Sequence, residues 1–286
     1  VGSEMCIRDR AVGALPEILE AHVELPLVVL VHHPLADESG IGPAEVARFR
    51  LAETRALAAA RGVVVTSPFT AERLRDFGVE GDRVRVVVPG TDPARPARGP
   101  NAGSPPRLVC VGSVTPRKGH DVLVEALDRI RDLPWACVCA GSLDRGGDFP
   151  DRVRERAAQL GLESRVLFLG ELDARELDRA YETASLFVLP SRFEGYGMAL
   201  TEALARGLPI VSTQAGAIPG TVPPGAGVLV PPDDAGALAS ALRELLTDAT
   251  RMDALSREAR RVATALPDWR HQARAFGEAV RELAGP

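Results

Sequence analysis

The chain has 286 residues, 45% of them hydrophobic and 26% charged, which is ordinary for one large or two medium globular domains. Its net charge of −5 argues against general nucleic-acid binding, because phosphate backbones demand a basic surface. The longest apolar run, residues 25–31, is too short to span a bilayer. We therefore expect a cytoplasmic protein without a membrane span, and peripheral contact with the inner membrane face stays open.

The first ten residues, V-G-S-E-M-C-I-R-D-R, fit no signal peptide, because they lack an apolar core segment. They also lead into neither a strand pattern nor a helix pattern. We interpret residues 1–10 as a non-native scar on a chain that starts within a domain.

Strand and helix patterns alternate from Pro26 onward, which is typical of parallel α/β proteins. In residues 11–92 the pattern predicts three strands, with helices over residues 43–60 and 70–77. The strands have the sequences P-L-V-V-L-V-H-H, G-V-V-V-T-S and R-V-R-V-V-V-P-G. Three strands are too few for a doubly wound domain, so we predict a partial N-terminal Rossmann-like domain.

A second and complete run of strands and helices occupies residues 107–265. The stretch before it is rich in proline and glycine without periodicity, and we place an interdomain linker at residues 93–106. Six predicted strands with crossover helices make a Rossmann-like domain, whose ligands bind beyond the carboxyl ends of the strands. The tail, residues 266–286, predicts an amphipathic helix around Trp269 and Phe276 that packs back on the first domain.

The cysteines do not have the spacing of a zinc site. Cys110, Cys137 and Cys139 lie inside strand-like runs, and the C-x-C pattern on one strand lacks a second ligand pair. We expect them to be small buried hydrophobic residues in a reducing compartment.

A basic turn follows the first strand of the second run, in V-G-S-V-T-P-R-K-G-H-D. Gly112 follows the strand, and Arg117 and Lys118 stand just before a predicted helix, where two cations could neutralise a diphosphate. A basic pair in a loop is commonly just a solvated surface. However, Lys118 is the only lysine among 34 basic residues, which favours a binding role for the turn.

Two carboxylates occupy the segment S-R-F-E-G-Y-G-M-A-L-T-E-A-L-A-R-G-L-P. Glu194 lies in a glycine-rich loop, and Glu202 lies where the pattern has become helical, before a stop at Gly207. A helix N-terminus attracts anions, and carboxylates accept protons from sugar or ribose hydroxyls. Two arbitrary glutamates would be surface charges, but the glycines and the strand end predict a site for a ligand with both phosphate and hydroxyls.

Together, V-G-x-x-T-P-R-K-G, F-E-G-Y-G-M-A-L-T-E-A-L-A-R-G-L-P-I-V and G-x-L-V-P-P-D-D resemble the motifs of the retaining nucleotide-sugar glycosyltransferases of family 4. The resemblance covers about residue 29 to the C-terminus. It implies the GT-B fold, an α/β architecture of two Rossmann-like domains that face a cleft, with the last helix crossing back to the first. Here the N-terminal, acceptor-side domain would be incomplete and the C-terminal, nucleotide-sugar-binding domain complete.

The resemblance also implies roles for individual residues. Glu194 would contact hydroxyls of the donor sugar, Glu202 would contact the nucleotide ribose, and Arg117 and Lys118 would hold the diphosphate. Gly112 at the strand end, and the backbone of Tyr196, Gly197 and Met198 at the turn, would contact the sugar and the phosphates. The backbone near Leu172, in a further loop, would border the nucleotide base.

A histidine at the end of a first-domain strand would line the cleft beside the transferred sugar, and His32 matches that place slightly better than His33. Thr66 and Ser67, at the next strand end, could face the same cleft or form a turn and helix cap.

The implied reaction transfers a sugar to an acceptor hydroxyl with retention of anomeric configuration. The charge of the diphosphate leaving group would be compensated by the two cations and helix amides. No D-x-D occurs at a strand end, so we expect neither a metal nor another cofactor. The partners would be a nucleotide-sugar donor and a sugar, lipid or small-molecule acceptor.

Two departures from the family pattern bear on activity. Ser113 stands where many members have a basic residue after the glycine. Nothing before Pro26 supplies the first strand and glycine-rich loop, so the chain looks truncated. Alternatives are therefore a non-catalytic nucleotide-sugar-binding fragment and a nucleotide-sugar epimerase, whereas a dinucleotide oxidoreductase is disfavoured because no G-x-G-x-x-G opens a βα unit.

Overall fold

The computed structural model describes residues 26–285, so the proposed scar at residues 1–10 lies outside the described part. The chain divides into two compact units. Of the described residues, the first unit comprises 26–90, Phe193–Tyr196 and 267–285, and the second comprises Thr91–Arg192 and Gly197–Leu266.

The first unit has a three-stranded parallel sheet in the order β1-β2-β3. Among residues 26–285, its strands are β1 (Val28–Val31), β2 (Gly62–Val65) and β3 (Val84–Val86). Its helices in the same range are α1 (Pro43–Ala59), α2 (Pro68–Arg73) and, from the C-terminal tail, α10 (Trp269–Ala284). The three predicted strands and the helix over residues 43–60 are confirmed. The helix predicted over residues 70–77 instead starts at Pro68, because the Ser67 side chain accepts the Thr70 amide as an N-cap, and it passes into a 3-10 turn at Leu74.

The C-terminal helix α10 belongs to the first unit. Its residues Ala279 and Leu283 pack on Val64 of β2, while Phe276 is 36% exposed. Gly62 makes this close packing possible, because a Cβ there would lie 2.7 Å from a methyl carbon of Leu283.

The second unit has a six-stranded parallel sheet in the order β6-β5-β4-β7-β8-β9. All six predicted strands are present: β4 (Arg107–Val111), β5 (Ala136–Ala140), β6 (Val166–Phe168), β7 (Leu186–Leu189), β8 (Ile210–Thr213) and β9 (Gly227–Val230). The helices are α3 (His120–Asp128), α4 (Phe149–Gln159), α5 (Ala174–Glu182), α6 (Met198–Ala205), α7 (Ile218–Thr221), α8 (Ala235–Thr247) and α9 (Ala249–Ala263). Because the strand order reverses between β4 and β7, the loops after these two strands flank the switch point, where α/β sheets bind ligands.

The central strands of this sheet are buried on both faces. Every residue of β7 and β8 is buried, as parallel strands between helical layers require. α5 begins with a capping box, in which the Asp173 side chain accepts the Glu176 amide and the Glu176 side chain accepts the Asp173 amide.

The segment predicted as an interdomain linker contains no helix or strand. It is nevertheless fastened to the second unit, because the Ala97 amide donates to the Arg206 carbonyl and the Arg98 amide donates to the Glu182 carbonyl, both at 2.8 Å. These two hydrogen bonds fix part of the segment to the second unit.

Candidate functional site

The basic turn lies directly beyond the carboxyl end of β4. Pro116–Lys118 forms a single 3-10 turn, and α3 begins at His120. Between them Gly119 has φ of +70°, and a Cβ on it would lie 2.1 Å from the Pro190 carbonyl oxygen. Both conditions require glycine at position 119, directly after the two cations of the turn.

Gly112 and Lys118 are neighbours in space. A Cβ on Gly112 would lie 3.3 Å from Cδ and Cε of Lys118, so the lysine stem runs over the glycine that ends β4. Two predicted site residues are thereby brought together within the second unit.

Arg192 joins the loop after β7 to the basic turn. Its amide donates to the Arg117 carbonyl at 2.7 Å, and its guanidinium donates to the Pro116 carbonyl. The same guanidinium donates to both carboxylate oxygens of Asp121 at 3.0 and 2.8 Å. The loops after β4 and β7 are therefore one bonded structure at the switch point of the sheet.

A third loop, after β9, is held by the same arginine. Nε of Arg192 donates to Oδ1 of Asp233 at 2.6 Å, and Asp233 itself has a left-handed φ of +61°. Sequence reasoning missed Arg192, although it lies next to the predicted acids and Asp233 lies in the quoted motif P-P-D-D. The available signal was that both belong to loops expected at the same sheet edge.

Glu202 lies on α6, which follows β7 through the glycine-rich turn. Gly197 has φ of +92° and precedes Met198, the first residue of the helix, and the helix ends before Gly207, with φ of +68°. The hydroxyl of Tyr181 on α5 donates to Oε2 of Glu202 at 2.9 Å. Burial raises the pKa of the Glu202 carboxyl, while the hydrogen bond from Tyr181 and the charge of Arg206 act in the opposite direction.

Glu194 belongs to the short segment Phe193–Tyr196 of the first unit. Its side chain is buried, with 5% exposed. The next residue, Gly195, lies against the end of β1, because a Cβ there would be 2.2 Å from the His32 carbonyl oxygen. The first unit thus brings the Glu194 segment beside His32, two positions that the sequence predicted to serve the donor sugar.

The end of β1 is tightly bound to this segment. Thr70 donates to the His32 carbonyl at 3.2 Å or to the Gly195 carbonyl at 3.3 Å, and the Phe193 ring lies 5.6 Å from the ring of His33. Burial, with a smaller contribution from His33, lowers the pKa of His32 to about 4. His32 is therefore a neutral imidazole near pH 7, able to donate one hydrogen bond and accept another.

Of the two residues left open at the end of β2, Ser67 acts as a helix cap. Its hydroxyl also lies 2.9 Å from Oγ1 of Thr70. Thr66 donates to the His32 carbonyl at 3.3 Å. Both side chains therefore contribute to the structure of the β1 and β2 carboxyl ends.

Leu172 lies between β6 and α5, in a loop at the same sheet edge as Gly112 and the basic turn. Its side chain is half-buried. The carboxyl ends of β4, β6 and β7 all face this edge because the strands are parallel. The predicted residues of the second unit therefore share one side of its sheet.

Three buried side chains in the second unit form a separate cluster. Cys110, His120 and Cys139 place one potential ligand atom each within 4.8 Å of one another, and Sγ of Cys110 lies 3.5 Å from Nε2 of His120. The pKa of the Cys110 thiol is raised well above its usual range by hydrogen bonding to Cys139 and by burial. The prediction of buried, free cysteines is confirmed for Cys110, Cys137 and Cys139, while Cys6 lies outside the described residues.

Within residues 26–285, no helix is both long enough and apolar enough to cross a bilayer.

Comparison with known proteins assigns both parts of the chain. The family model "Glycosyl transferases group 1" matches residues 93–262, and "Glycosyltransferase Family 4" matches residues 13–95. The D-inositol 3-phosphate glycosyltransferase of Nocardia farcinica is 32% identical over 86% of the chain and 56% of its own length. The GDP-mannose-dependent alpha-(1-6)-phosphatidylinositol monomannoside mannosyltransferase of Mycolicibacterium smegmatis is 30% identical over 77% of the chain and 61% of its own length. The chain thus spans little more than half the length of these relatives.

Solved structures agree with this assignment. Sucrose-phosphate synthase from Thermosynechococcus elongatus superposes with a TM-score of 0.82 at 27% identity, covering 95% of this chain and 71% of that one. HepE from Anabaena, in complex with UDP and glucose, gives a TM-score of 0.79 at 21% identity, covering 93% of this chain and 75% of that one, and supports the fold alone. The resemblance predicted from the motifs is confirmed. The chain belongs to the glycosyl transferases group 1 family and has the α/β GT-B fold.

Proposed function

We propose that this protein binds a nucleotide-diphosphate sugar and transfers the sugar to an acceptor hydroxyl with retention of anomeric configuration and without a metal. The observation that carries the proposal is the bonded pair of loops at the switch point of the second unit. One loop supplies two cations, and the other leads into a helix N-terminus and an acid. Cations and helix amides can bind the anionic oxygens of a diphosphate, and the acid can accept hydrogen bonds from ribose hydroxyls.

In the proposed reaction, Arg117 and Lys118 hold the diphosphate and compensate the charge that grows as the sugar leaves. The amides of Tyr196, Gly197 and Met198, at the turn into α6, add fixed dipoles near the sugar and phosphates. The basic turn is held in place before a ligand arrives, since Arg192 donates to the carbonyls of Arg117 and Pro116. Charge compensation by preorganised donors makes a divalent ion unnecessary to the proposal.

Glu194 has a different proposed role, since it accepts hydrogen bonds from hydroxyls of the donor sugar. Retention then follows when the acceptor attacks from the face that the diphosphate leaves, with Glu194 as a positioning carboxylate and not as a covalent nucleophile. His32, as a neutral imidazole, can donate to or accept from a hydroxyl of the same sugar.

Donor and acceptor classes are proposed by analogy with the relatives. One relative is named as GDP-mannose-dependent and another as a D-inositol 3-phosphate glycosyltransferase, and a HepE structure is described in complex with UDP-glucose. We therefore propose a uridine or guanosine diphosphate sugar as donor and a hydroxyl-rich acceptor, such as a sugar, a polyol or the head group of a lipid.

The test has a binding stage and a transfer stage. Isothermal titration calorimetry with UDP and GDP should detect binding of one of them, and radiolabelled UDP-glucose or GDP-mannose should then label an acceptor. Glu194→Gln should abolish transfer while leaving nucleoside diphosphate binding near the wild-type value, because its proposed contacts are to the sugar. Binding without transfer by the wild-type chain would support a nucleotide-sugar-binding fragment instead. No binding of either nucleotide would contradict both functions.

A further inference from the structure

A buried tyrosine contacts the carboxylate of Glu202. Tyr181, on the neighbouring helix α5, is fully buried, with 0% exposed. Its hydroxyl donates to Oε2 of Glu202 at 2.9 Å and lies 3.4 Å from the Ala199 carbonyl. The ring is fixed as well, because it stacks on Phe187 with centroids 6.1 Å apart and an interplanar angle of 15°.

Arg206 closes the other side of this arrangement. Its guanidinium carbon lies 4.4 Å from the centre of the Tyr181 ring, and its NH1 donates to the backbone carbonyl of Glu202 at 3.0 Å. An ion pair with Asp178 on α5 holds the guanidinium in place. The Tyr181 side chain is thus held between an aromatic ring and a cation, and its hydroxyl has a defined direction.

We propose that Tyr181 is a positioning residue that holds the Glu202 carboxylate in the orientation required to accept the two ribose hydroxyls of a nucleotide, and so favours ribonucleotides over 2′-deoxyribonucleotides. The inference rests on the proposed function, since it takes Glu202 as the ribose-binding acid. It goes beyond that function by giving a role to Tyr181, which lies outside the sequence motifs, and by predicting selectivity for ribonucleotides.

Counting donors and acceptors supports this role. An ionised carboxylate has two oxygens with about four acceptor positions, so one bond from Tyr181 to Oε2 leaves room for two ribose hydroxyls. A tyrosine hydroxyl in contact with a carboxylate donates its proton, which leaves the carboxylate as acceptor only. A ligand without the 2′-hydroxyl leaves one acceptor of a half-buried acid unpaired, and such unpaired groups are the strongest source of discrimination.

The same hydrogen bond governs the charge of Glu202. Burial raises the pKa of this carboxyl, and Tyr181 and Arg206 oppose the rise, whereas Asp92 and Asp178 add to it. Removing the hydroxyl would therefore raise the pKa of Glu202 further. Ribose binding needs the ionised form, so the pH below which ribonucleotide affinity is lost should move upward in a variant without the hydroxyl.

The test uses Tyr181→Phe, which keeps the ring between Phe187 and Arg206 and removes only the hydroxyl. Affinities for UDP or GDP, whichever the wild type binds, and for dUDP or dGDP are measured by calorimetry between pH 5 and pH 9 on the full chain. We expect the variant to bind the ribonucleotide roughly 10-fold more weakly near neutral pH, with little change for the deoxyribonucleotide. The ribonucleotide pH profile should shift to higher pH.

Glu202→Gln is the matched control, because a neutral amide has no carboxyl to titrate. In the Glu202→Gln background, adding Tyr181→Phe should change neither the ribo-to-deoxy ratio nor the pH profile. Equal losses for both nucleotides with an unmoved pH profile would assign Tyr181 a merely structural role and overturn the inference. Unchanged affinities would overturn it too. Failure of the wild type to bind any nucleotide would overturn the proposed function along with it, so the two failures are distinguishable.

Discussion

Lys118 offers a direct measurement of how the basic turn contributes to binding. Its stem lies over Gly112 at the end of β4, where the proposed diphosphate would be held. Replacing Lys118 with Ala removes one charged donor to a phosphate oxygen. A hydrogen bond to a charged group contributes about 1.5–3 kcal/mol, which corresponds to roughly a 10- to 150-fold increase in Kd.

The assay is calorimetric titration of wild type and Lys118→Ala with UDP and GDP, at low and high salt. Because the lost contact is between charges, the difference between the two proteins should shrink as salt increases. UMP and GMP, which carry a single phosphate, should show a smaller difference than the diphosphates.

Arg243→Ala is the charge-matched control for this comparison. Arg243 is on α8 of the same unit, and its guanidinium pairs with Asp132 on the exposed surface at 2.6 Å. Its removal changes the net charge equally, so nucleotide affinity should stay close to that of wild type. A Kd that is unchanged in Lys118→Ala, or increased equally in both variants, would refute the assignment of Lys118 to the diphosphate.

Four further outcomes are expected. Arg192→Lys keeps the charge but removes the two parallel guanidinium hydrogen bonds to Asp121. The affinity for nucleoside diphosphates should therefore fall several-fold. An affinity equal to that of the wild type would show that the basic turn does not depend on these bonds. Glu53 accepts hydrogen bonds from the Leu35 and Ala36 amides at 2.6 and 3.1 Å. Glu53→Ala should therefore lower the free energy of unfolding, measured in urea, by about 2–6 kcal/mol, and Glu53→Gln should lower it by less. Identical urea unfolding curves for the wild type and both variants would contradict this. Folding lowers the pKa of His32 to about 4, whereas in the unfolded chain the imidazole takes up a proton near its ordinary pKa of 6.5. Its contribution to stability is therefore lost as the pH falls from about 6.5 to about 4, and His32→Asn should flatten that part of the curve of unfolding free energy against pH. The Cys110 and Cys139 thiols have raised pKa values and are buried, so they should react with a maleimide only after unfolding, and rapid labelling of the native protein would show that the cluster opens.

The strands and their order of appearance could be predicted because parallel strands buried on both faces have continuous apolar sequences. The run L-F-V-L, for example, has no polar residue and becomes β7, every residue of which is buried. Helix ends were less predictable. Ser67 competes for the Thr70 amide as a cap, so α2 starts two residues before the prediction, and such local hydrogen bonds have weak sequence signals.

The candidate site divides along the same line. Glu202 and Lys118 could be nominated because they stand in contiguous motifs. Tyr181 and Arg192 were not nominated, because their contacts are with residues distant in sequence: Tyr181 contacts Glu202, and Arg192 contacts Asp121 and Asp233. A motif reports what is adjacent along the chain, whereas these bonds depend on which strands are neighbours in the sheet.

The residues by which α10 packs were not predicted individually. The helix buries Ala279 and Leu283 against Val64 of β2. The lack of a side chain at Gly62 permits the close approach of Leu283, and this depends on a residue far away in the sequence.

The placement of α10 in the first unit has a consequence for how the protein is made. Residues 267–285 complete a layer over β1 and β2, but they leave the ribosome after all of the second unit. Since domains fold as units during synthesis, the second unit can finish folding on the ribosome while β2 still lacks its covering helix. The apolar face of β2 around Val64 therefore stays uncovered until residues 267–285 have been synthesised and can pack on it.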